Sequence, residues 1–234
     1  MTFVDFHSHV LPGIDDGSKD LEQSLEMLRM EAIHDIDVVV ATPHFYPGRD
    51  DPESFLKRRE QAEKQLRMAM ASEDNLPQLE IGAEVYFFRG ISQSDLLSDL
   101  TIRGTKYILI EMPHGHWPEE YYRELYQIRD RRGICPIIAH VDRYIAPFQT
   151  HGIPAKLEQL PVLVQANASF FLNRPTANMA MKMLKKGQIH LLGSDCHNMS
   201  SRKPNLGPCF DDIFSKLGED ALEHINYYQT LVFE

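Results

Sequence analysis

Nine side chains of metal-binding type lie close to the ends of short apolar runs. They are His7, His9, Asp16, His44, Glu84, Glu111, His140, Asp195 and His197. Imidazole and carboxylate groups are common ligands of divalent cations such as Zn2+ and Mn2+. A single zinc ion needs only three or four protein ligands, so this set predicts a centre that holds two or three ions.

Two pairs of these residues stand at opposite ends of the chain. His7-Ser8-His9 ends the first apolar run, and Asp195-Cys196-His197 follows the last run. Side chains two residues apart point to the same face of a strand, so each pair can reach one cation. Such pairs, joined by glutamates and two further histidines, favour a multinuclear site over isolated buried polar residues.

Apolar runs rich in Val, Ile, Leu or Tyr predict seven buried strands. The runs are Phe3–Val10, Val38–Thr42, Leu79–Val85, Tyr107–Glu111, Cys135–Ala139, Val162–Ala166 and His190–Ser194. Helical spacing between them predicts one helix that is capped by Ser18 and another that follows Pro52. Alternating strands and helices predict an α/β fold with a parallel sheet. If the sheet closes into a barrel, the candidate ligands share the rim at the carboxyl ends of the strands.

Composition limits the class of protein. The chain has 234 residues and 43% hydrophobic content, without a linker or repeat, so we expect one domain over 1–234. The net charge of −10 argues against a nucleic-acid partner. No leader or long apolar segment is apparent, and the three cysteines form no disulfide pattern. We therefore expect a cytoplasmic protein with reduced thiols and no membrane insertion.

Further motifs carry a resemblance to a known family. They are Asp-Phe-His-Ser-His with Asp-Asp-Gly, Ala-Thr-Pro-His-Phe, Gly-Ala-Glu-Val-Tyr, Ile-Glu-Met-Pro, Ile-Ala-His-Val-Asp-Arg-Tyr, Gln-Ala-Asn-Ala-Ser and Gly-Ser-Asp-Cys-His-Asn. In this order, from about Val4 to Pro204, the chain resembles the PHP (polymerase and histidinol phosphatase) superfamily. Within it, the chain is most similar to the manganese-dependent protein-tyrosine phosphatases encoded with bacterial capsule and exopolysaccharide genes.

The resemblance implies a distorted seven-stranded (β/α)7 barrel of PHP type with three divalent metal ions. The family metal is Mn2+, and Fe, Zn, Co or Mg remain alternatives. The first ion would be bound by His7, His9, Glu84 and Asp195, and Glu84 would bridge to a second ion at Glu111 and His140. Asp16, His44 and His197 would hold the third. Val141-Asp142 replaces the Pro-Glu that usually precedes the family arginine, here Arg143.

The charges in the predicted site suit phosphate chemistry. Four carboxylates against three divalent cations leave about two positive charges, which match a phosphate dianion of roughly −1.5 to −2. Arg143 and Arg202 follow His140 and His197, where each could grip phosphoryl oxygens. We count these arginines and His44 as candidate catalytic residues. The predicted reaction is in-line attack on phosphorus by water that the ions activate.

The predicted substrate is a phosphotyrosine protein. In the resembling family it is the tail of a membrane-associated bacterial tyrosine autokinase that controls polysaccharide export. Oligomeric state is not readable from the sequence.

Other functions compete with this prediction. Cys196 and Arg202 form a Cys-x5-Arg spacing, the signature of cysteine-dependent tyrosine phosphatases, although the usual glycine is missing. An amidohydrolase-type enzyme also opens with His-x-His but commonly bridges its metals with a modified lysine, where Glu111 stands here. Histidinol-phosphate phosphatase is the nearest alternative within the superfamily. A non-catalytic metal-binding regulatory module stays open as a different class.

The remaining histidines and several aromatic residues receive weaker assignments. We expect His34, His151 and His224 on the surface. His114 and His116 lie in a Gly/Pro loop that could contact the substrate. The rim candidates for contact with a tyrosyl ring are Phe45, Tyr46, Trp117 and Tyr121.

Overall fold

The computed structural model describes residues 1–145 and 152–234, and strands occur at every predicted apolar run; His151 lies outside these residues. The described strands are β1 Val4–Ser8, β2 Val38–Ala41, β3 His44–Phe45, β4 Gln78–Ile81, β5 Glu84–Tyr86, β6 Tyr107–Glu111, β7 Cys135–Ile138, β8 Leu163–Asn167 and β9 Leu191–Gly193. The described helices are α1 Leu21–Ile33, α2 Pro52–Met70, α3 Leu97–Leu100, α4 Glu119–Arg132, α5 Ile153–Leu157, α6 Ala168–Leu172, α7 Ala177–Lys185, α8 Leu206–Leu217 and α9 Glu219–Phe233.

Two parallel sheets form a curled α/β fold. Their strand orders are β1-β2-β4 and β3-β5-β6-β7-β8-β9, and every pairing is parallel. Most strand residues are buried, which explains why the runs are continuously apolar rather than alternating. The predicted parallel α/β architecture is therefore confirmed.

The expectation of seven continuous strands was wrong in two places. A further short strand, His44–Phe45, begins just beyond the second run, and the third run is interrupted after Ile81, so the described residues contain nine strands. Pro43 has no N–H to continue a ladder. Hydrogen bonds nevertheless cross both breaks, from Gly82 N to the Ala41 oxygen (2.9 Å) and from Glu84 N to the Pro43 oxygen (3.0 Å).

These breaks decide where two of the candidate ligands stand. His44 begins β3 and Glu84 begins β5, and the two residues are direct partners in the parallel register. Each strand therefore restarts at a ligand-type side chain, and the two side chains enter the site side by side.

The first and last strands meet at a short junction that one carboxylate reinforces. Asp195 N donates to the His7 oxygen at 2.7 Å, and Ser8 and Cys196 form an isolated bridge. Asp5, fully buried, accepts from His7 N (3.0 Å), Ser194 N (2.9 Å) and Ser194 Oγ (2.5 Å). The Asp5 carboxylate thus accepts hydrogen bonds from backbone amides, as backbone carbonyl groups do elsewhere in the sheet.

The helices cover the sheet with their apolar faces. Leu25 and Leu28 of α1, and Phe55 and Leu66 of α2, are buried as their spacing predicted. The predicted Ser18 cap was wrong, because Asp20 accepts from Gln23 N and caps α1. The helix following Pro52 is confirmed, with Asp51 as its cap.

Among the described residues, no helix combines the length and hydropathy needed to cross a membrane. His34 and His224 are half-buried rather than fully on the surface. The His224 Nε2 atom lies 2.9 Å from the Ile189 oxygen, so this side chain is held against the start of β9.

The Asp5 junction leads to a stability prediction. Asp5→Leu leaves the buried amides of His7 and Ser194 without their acceptor, and each such loss costs about 1–3 kcal/mol. We expect the free energy of unfolding to fall by about 2–5 kcal/mol in urea titrations with EDTA present. Asp5→Asn is the matched control, because its carbonyl can still accept from both amides. Equal losses for the two variants would contradict the role given to Asp5.

Candidate metal centre

The structure brings all nine predicted metal-binding residues to one place. His7 lies in β1, and His9 and Asp16 follow that strand. Glu111 ends β6, His140 follows β7, and Asp195 and His197 follow β9. Their ligand atoms fall into overlapping groups within 4.8 Å, namely His7-His9-Asp195, His7-Glu84-His140, His44-Glu84-Glu111 and His9-Asp16-His44-His197. The groups share members, so the arrangement is one continuous cluster.

Glu84 occupies the centre of the cluster and is 1% exposed. Its Oε2 lies 3.1 Å from His7 Nε2, 3.4 Å from His9 Nε2 and 2.9 Å from His44 Nδ1. Its Oε1 lies 2.7 Å from His140 Nε2. Burial opposes its ionisation, but His7 and the hydrogen bonds from the surrounding imidazoles hold the pKa of Glu84 well below its usual value.

The hydrogen-bond partners of the His7 and His9 rings indicate which nitrogen of each ring is available to a cation. His7 Nδ1 lies 3.3 Å from Gln165 Oε1, and His9 Nδ1 lies 2.8 Å from Asp15 Oδ2. These partners accept hydrogen bonds, so in neutral rings Nδ1 carries the proton and Nε2 carries a lone pair. The two Nε2 atoms face each other at 3.1 Å, with Asp195 Oδ1 3.6 Å from each. Facing lone pairs fit a shared cation.

An open side of the cluster is formed by histidines and one exposed carboxylate. Asp16, with a side chain that is 69% exposed, places Oδ1 3.4 Å from His44 Nε2 and 3.6 Å from His197 Nε2. His197 Nε2 is buried and has no hydrogen-bond partner among the described residues. Burial lowers the pKa of His197 to about 4, so the ring is neutral and can offer a lone pair.

Protons and cations compete for the same atoms. Burial alone would lower the pKa of His9, but hydrogen bonds to Asp15 and Glu84 raise it to about 10. Metal binding requires the neutral imidazole, so it must displace a proton and weakens as the pH falls.

Two arginines converge on the edge of the cluster. The Arg143 guanidinium donates to Asp195 Oδ2, and Arg202 Nη2 donates to Asp195 Oδ1 at 2.6 Å. Their side chains are 31% and 38% exposed, so both reach solvent beside the cluster.

Asp195 and His140 adopt left-handed backbone with φ of 54° and 31°, a strained conformation for these residues that turns the chain sharply after β9 and β7.

Cys196 does not have the surroundings of a nucleophile. Its side chain is fully buried, and burial, together with the nearby Asp5 and Glu31, raises the pKa of the thiol well above its usual value. A nucleophilic cysteine needs a thiolate in a partly exposed, electropositive environment. The burial of Cys196 therefore argues against the cysteine-dependent alternative, although Arg202 does lie at the site.

Comparison with known proteins gives the family. A sequence model described as "Capsular polysaccharide synthesis, CpsB/CapC" matches residues 3–231. The chain belongs to the CpsB/CapC family. The tyrosine-protein phosphatase YwqE of Bacillus subtilis is 29% identical over 205 residues, which cover 85% of this chain and 79% of that protein. The tyrosine-protein phosphatase CpsB of Streptococcus agalactiae serotype V is 25% identical, with 95% and 94% covered.

A solved structure shares the fold. It belongs to work on YwqE from Bacillus subtilis and CpsB from Streptococcus pneumoniae, described as unique metal-dependent tyrosine phosphatases. The TM-score is 0.85 at 24% identity, with 99% of this chain and 94% of that chain covered. The curled parallel α/β sheet is therefore the fold of a CpsB/CapC relative.

The predicted aromatic rim is only partly correct. Trp117 is 1% exposed and donates to the Pro113 oxygen at 2.8 Å, and Phe45 is also 1% exposed, so both pack in the core. Tyr121 is half-buried against Phe87. Tyr46 does reach the rim, with its ring stacked on that of His44 at 5.1 Å. His114 and His116 are exposed in their loop.

Three residues that orient the cluster were not predicted from sequence. Asp15, besides its contact with His9, accepts from the backbone amides of His44 and Gly17. Gln165 and Asn167 lie in β8, the one predicted strand that supplies no candidate ligand. An acidic neighbour beside a predicted ligand, and polar residues inside an apolar strand, were the features that could have revealed them.

Gln165 connects several ligand-bearing segments. Its Oε1 lies 2.6 Å from His140 N and 3.3 Å from His7 Nδ1. Its Nε2 donates to Asn167 Oδ1 at 3.1 Å, and Asn167 Nδ2 donates to Asp195 Oδ2 at 3.0 Å. The amide chain therefore contacts the His7 ring, the backbone amide of His140 after β7 and the Asp195 carboxylate after β9. A Cβ at Gly193 would lie 2.5 Å from His7 Cβ and 2.8 Å from Gln165 Nε2, so this packing requires glycine.

We predict that Gln165→Leu weakens Mn2+ binding by roughly 10–100-fold, the usual effect of losing a group that orients a ligand. The substitution removes the acceptor that sets the His7 tautomer and the donor to Asn167. Calorimetric titration of the metal-free protein with Mn2+ measures it. Gln229→Leu is the control, because Gln229 is also buried but its amide atoms have no hydrogen-bond partner among the described residues. Unchanged affinity in Gln165→Leu would refute the assignment.

Proposed function

We propose that this protein is a metal-dependent protein-tyrosine phosphatase, with residues 1–234 acting as one PHP-type domain. The observation that carries the proposal is the cluster around Glu84, with two arginines at its solvent edge. Its CpsB/CapC membership and the names of its relatives, YwqE and CpsB, support the same activity. The β1–β9 junction and the hydrogen bonds across both strand breaks support treating the two sheets as one distorted seven-stranded barrel.

The nine clustered residues would hold three divalent ions, with Mn2+ as the proposed native metal. His7, His9 and Asp195 would bind one ion, Glu84 would bridge to a second ion at Glu111 and His140, and Asp16, His44 and His197 would bind the third. Such ions supply water of lowered pKa and positive charge for the phosphoryl oxygens. The overlapping ligand-atom groups, each within 4.8 Å, support a shared multinuclear arrangement.

The arginines complete a phosphate site. Arg143 and Arg202 offer planar donor groups, each of which can hold two phosphoryl oxygens. Their present contacts with Asp195 place both guanidinium groups on the side of the cluster that a substrate can approach. Donors held in place before the reaction stabilise charge that develops on phosphoryl oxygens in the transition state. His44 borders the same space and joins Glu84 to the open side at Asp16.

The substrate class follows from the site and the family together. A tyrosyl leaving group has a pKa near 10, so its departure depends less on protonation than that of an alkyl alcohol. We infer that the substrate is a phosphotyrosine protein, with a bacterial tyrosine autokinase as the partner and capsule or exopolysaccharide synthesis as the process. This assignment places the protein in the cytoplasm.

We predict that metal-free protein has no phosphatase activity and that Mn2+ restores it. The assay compares a phosphotyrosine peptide, a phosphoserine peptide and histidinol phosphate after EDTA dialysis, with and without added Mn2+. Fastest turnover of the phosphotyrosine peptide is expected. Full activity of the metal-free protein would contradict the mechanism. Faster turnover of histidinol phosphate would assign the alternative enzyme, and no turnover with metal bound would indicate a regulatory module.

We predict that Arg143→Ala and Arg202→Ala each lower kcat/KM by a factor equivalent to about 2–4 kcal/mol of transition-state stabilisation, while the metal content is retained. Single-turnover and steady-state assays on the phosphotyrosine peptide measure the loss. Cys196→Ala serves as the matched control beside the same strand end. It should keep the activity, because the buried thiol is not the nucleophile. A metal-loaded but inactive Cys196→Ala protein would overturn the mechanism.

A further inference from the structure

A groove beside the candidate metal centre continues the open side of the cluster. It has a volume of about 410 Å³ and runs from Asp16 and His44 past Tyr46 to Arg49 and Arg58. The loop after β1 forms one wall, and the turn between β3 and α2 forms the other. A polypeptide that places one side chain at the metals has neighbouring residues to accommodate, and this groove starts where the cluster opens to solvent.

The acidic residues of the groove already have partners. Asp15 is bound to His9 and to backbone amides. Asp50 accepts from Tyr46 N at 2.8 Å and from Arg58 Nη2 at 3.1 Å. Asp16 faces His44 and His197, and its charge would be balanced by the metal ion proposed at these residues. Arg49 is exposed and has no ion pair among the described residues, so it is the unbalanced positive charge of the groove.

Arg49 is held in a defined position. Its guanidinium carbon lies 5.1 Å from the Tyr46 ring centroid, a cation–π contact. The Tyr46 ring in turn stacks on His44 at 5.1 Å with an interplanar angle of 29°. Arg49 N also donates to the Tyr46 oxygen at 3.0 Å, in a turn where Gly48 has φ of 82°. The turn and the ring stack thus fix Arg49 beside the cluster.

The spacing suits a residue close to the phosphotyrosine in sequence. Two successive contacts of 5.1 Å place the guanidinium carbon at most about 10 Å from the His44 ring centroid. An extended chain covers about 3.3–3.6 Å per residue, so this distance corresponds to roughly three residues. The phosphate-binding arginines lie elsewhere, at Asp195.

We propose that Arg49 binds an anionic side chain within about three residues of the phosphotyrosine, so that the enzyme selects acidic target sequences. This inference rests on the proposed phosphatase function. The chain carries a net charge of −10, which by itself would disfavour the binding of acidic peptides. A preference for acidic peptides would therefore come from the local pairing with Arg49 and not from the overall charge. A carboxylate and a second phosphoryl group share the chemistry that a guanidinium recognises.

The test uses three peptides of equal length with one phosphotyrosine at the same position. The flanking residues are glutamates in the first, glutamines in the second, and a further phosphotyrosine among glutamines in the third. The readout is the ratio of kcat/KM, expressed per phosphotyrosine, for each anionic peptide to that for the glutamine peptide, measured for one protein variant at a time. Within one variant, this ratio cancels any general change in activity.

For the unsubstituted protein we expect a ratio of about 3 to 10, carried mostly by KM and reduced by added salt. Arg49→Gln should bring the ratio to about 1. Arg131→Gln is the matched control, since it removes the same charge from an exposed arginine near the end of α4 and should keep the ratio. A ratio raised only for the glutamate peptide, or only for the doubly phosphorylated peptide, supports the proposal and identifies which anion is bound.

The proposal is overturned if the unsubstituted protein shows no preference, or if the preference survives in Arg49→Gln. It is also overturned if Arg131→Gln loses the preference equally, because general surface charge would then explain it. Failure of the proposed function looks different. In that case the unsubstituted protein with Mn2+ hydrolyses none of the three peptides, including the glutamine peptide.

Discussion

A buried carboxylate surrounded by four imidazoles is the constraint on which the rest of this structure depends. Glu84 is 1% exposed, and an ionised carboxylate in such a place needs donors or positive charge within contact distance. His7, His9, His44 and His140 stand around it, and they come from three separate parts of the chain. The fold must therefore bring distant segments of the chain to contact distance around one carboxylate.

Irregularity in the sheet meets this requirement. Continuous strands would carry His44 and Glu84 along the same straight paths as the residues before them. The interruptions at Thr42-Pro43 and Gly82-Ala83 start new short strands at those two residues, paired in register. At the opposite side, β1 and β9 share few ladder bonds, and the Asp5 carboxylate supplies acceptors between them. The departures from regular parallel strands thus lie next to the candidate metal centre.

The orientation of the candidate ligands depends on polar groups outside the set of nine. Asp15 and Gln165 each accept from a ring nitrogen and so direct the other nitrogen of His9 and His7 into the cluster. Asp15 also binds the His44 amide, and Asn167 contacts Asp195. The loop after β1 and the strand β8 consequently belong to the site. Arg143 and Arg202 lie at the partly exposed edge of the cluster, in contact with Asp195.

The sequence by itself determined the parallel α/β class, the approximate position of each apolar run and the set of nine side chains that converge. Hydrophobic periodicity and ligand chemistry are local properties, so they can be read from the order of residues. Only the tertiary structure decided the two strand breaks, the Asp20 cap in place of Ser18, and the burial of Trp117 and Phe45. It also decided the roles of Asp5, Asp15 and Gln165. Their hydrogen bonds span up to 189 positions in sequence, and no local pattern encodes which distant atom a buried polar group will meet.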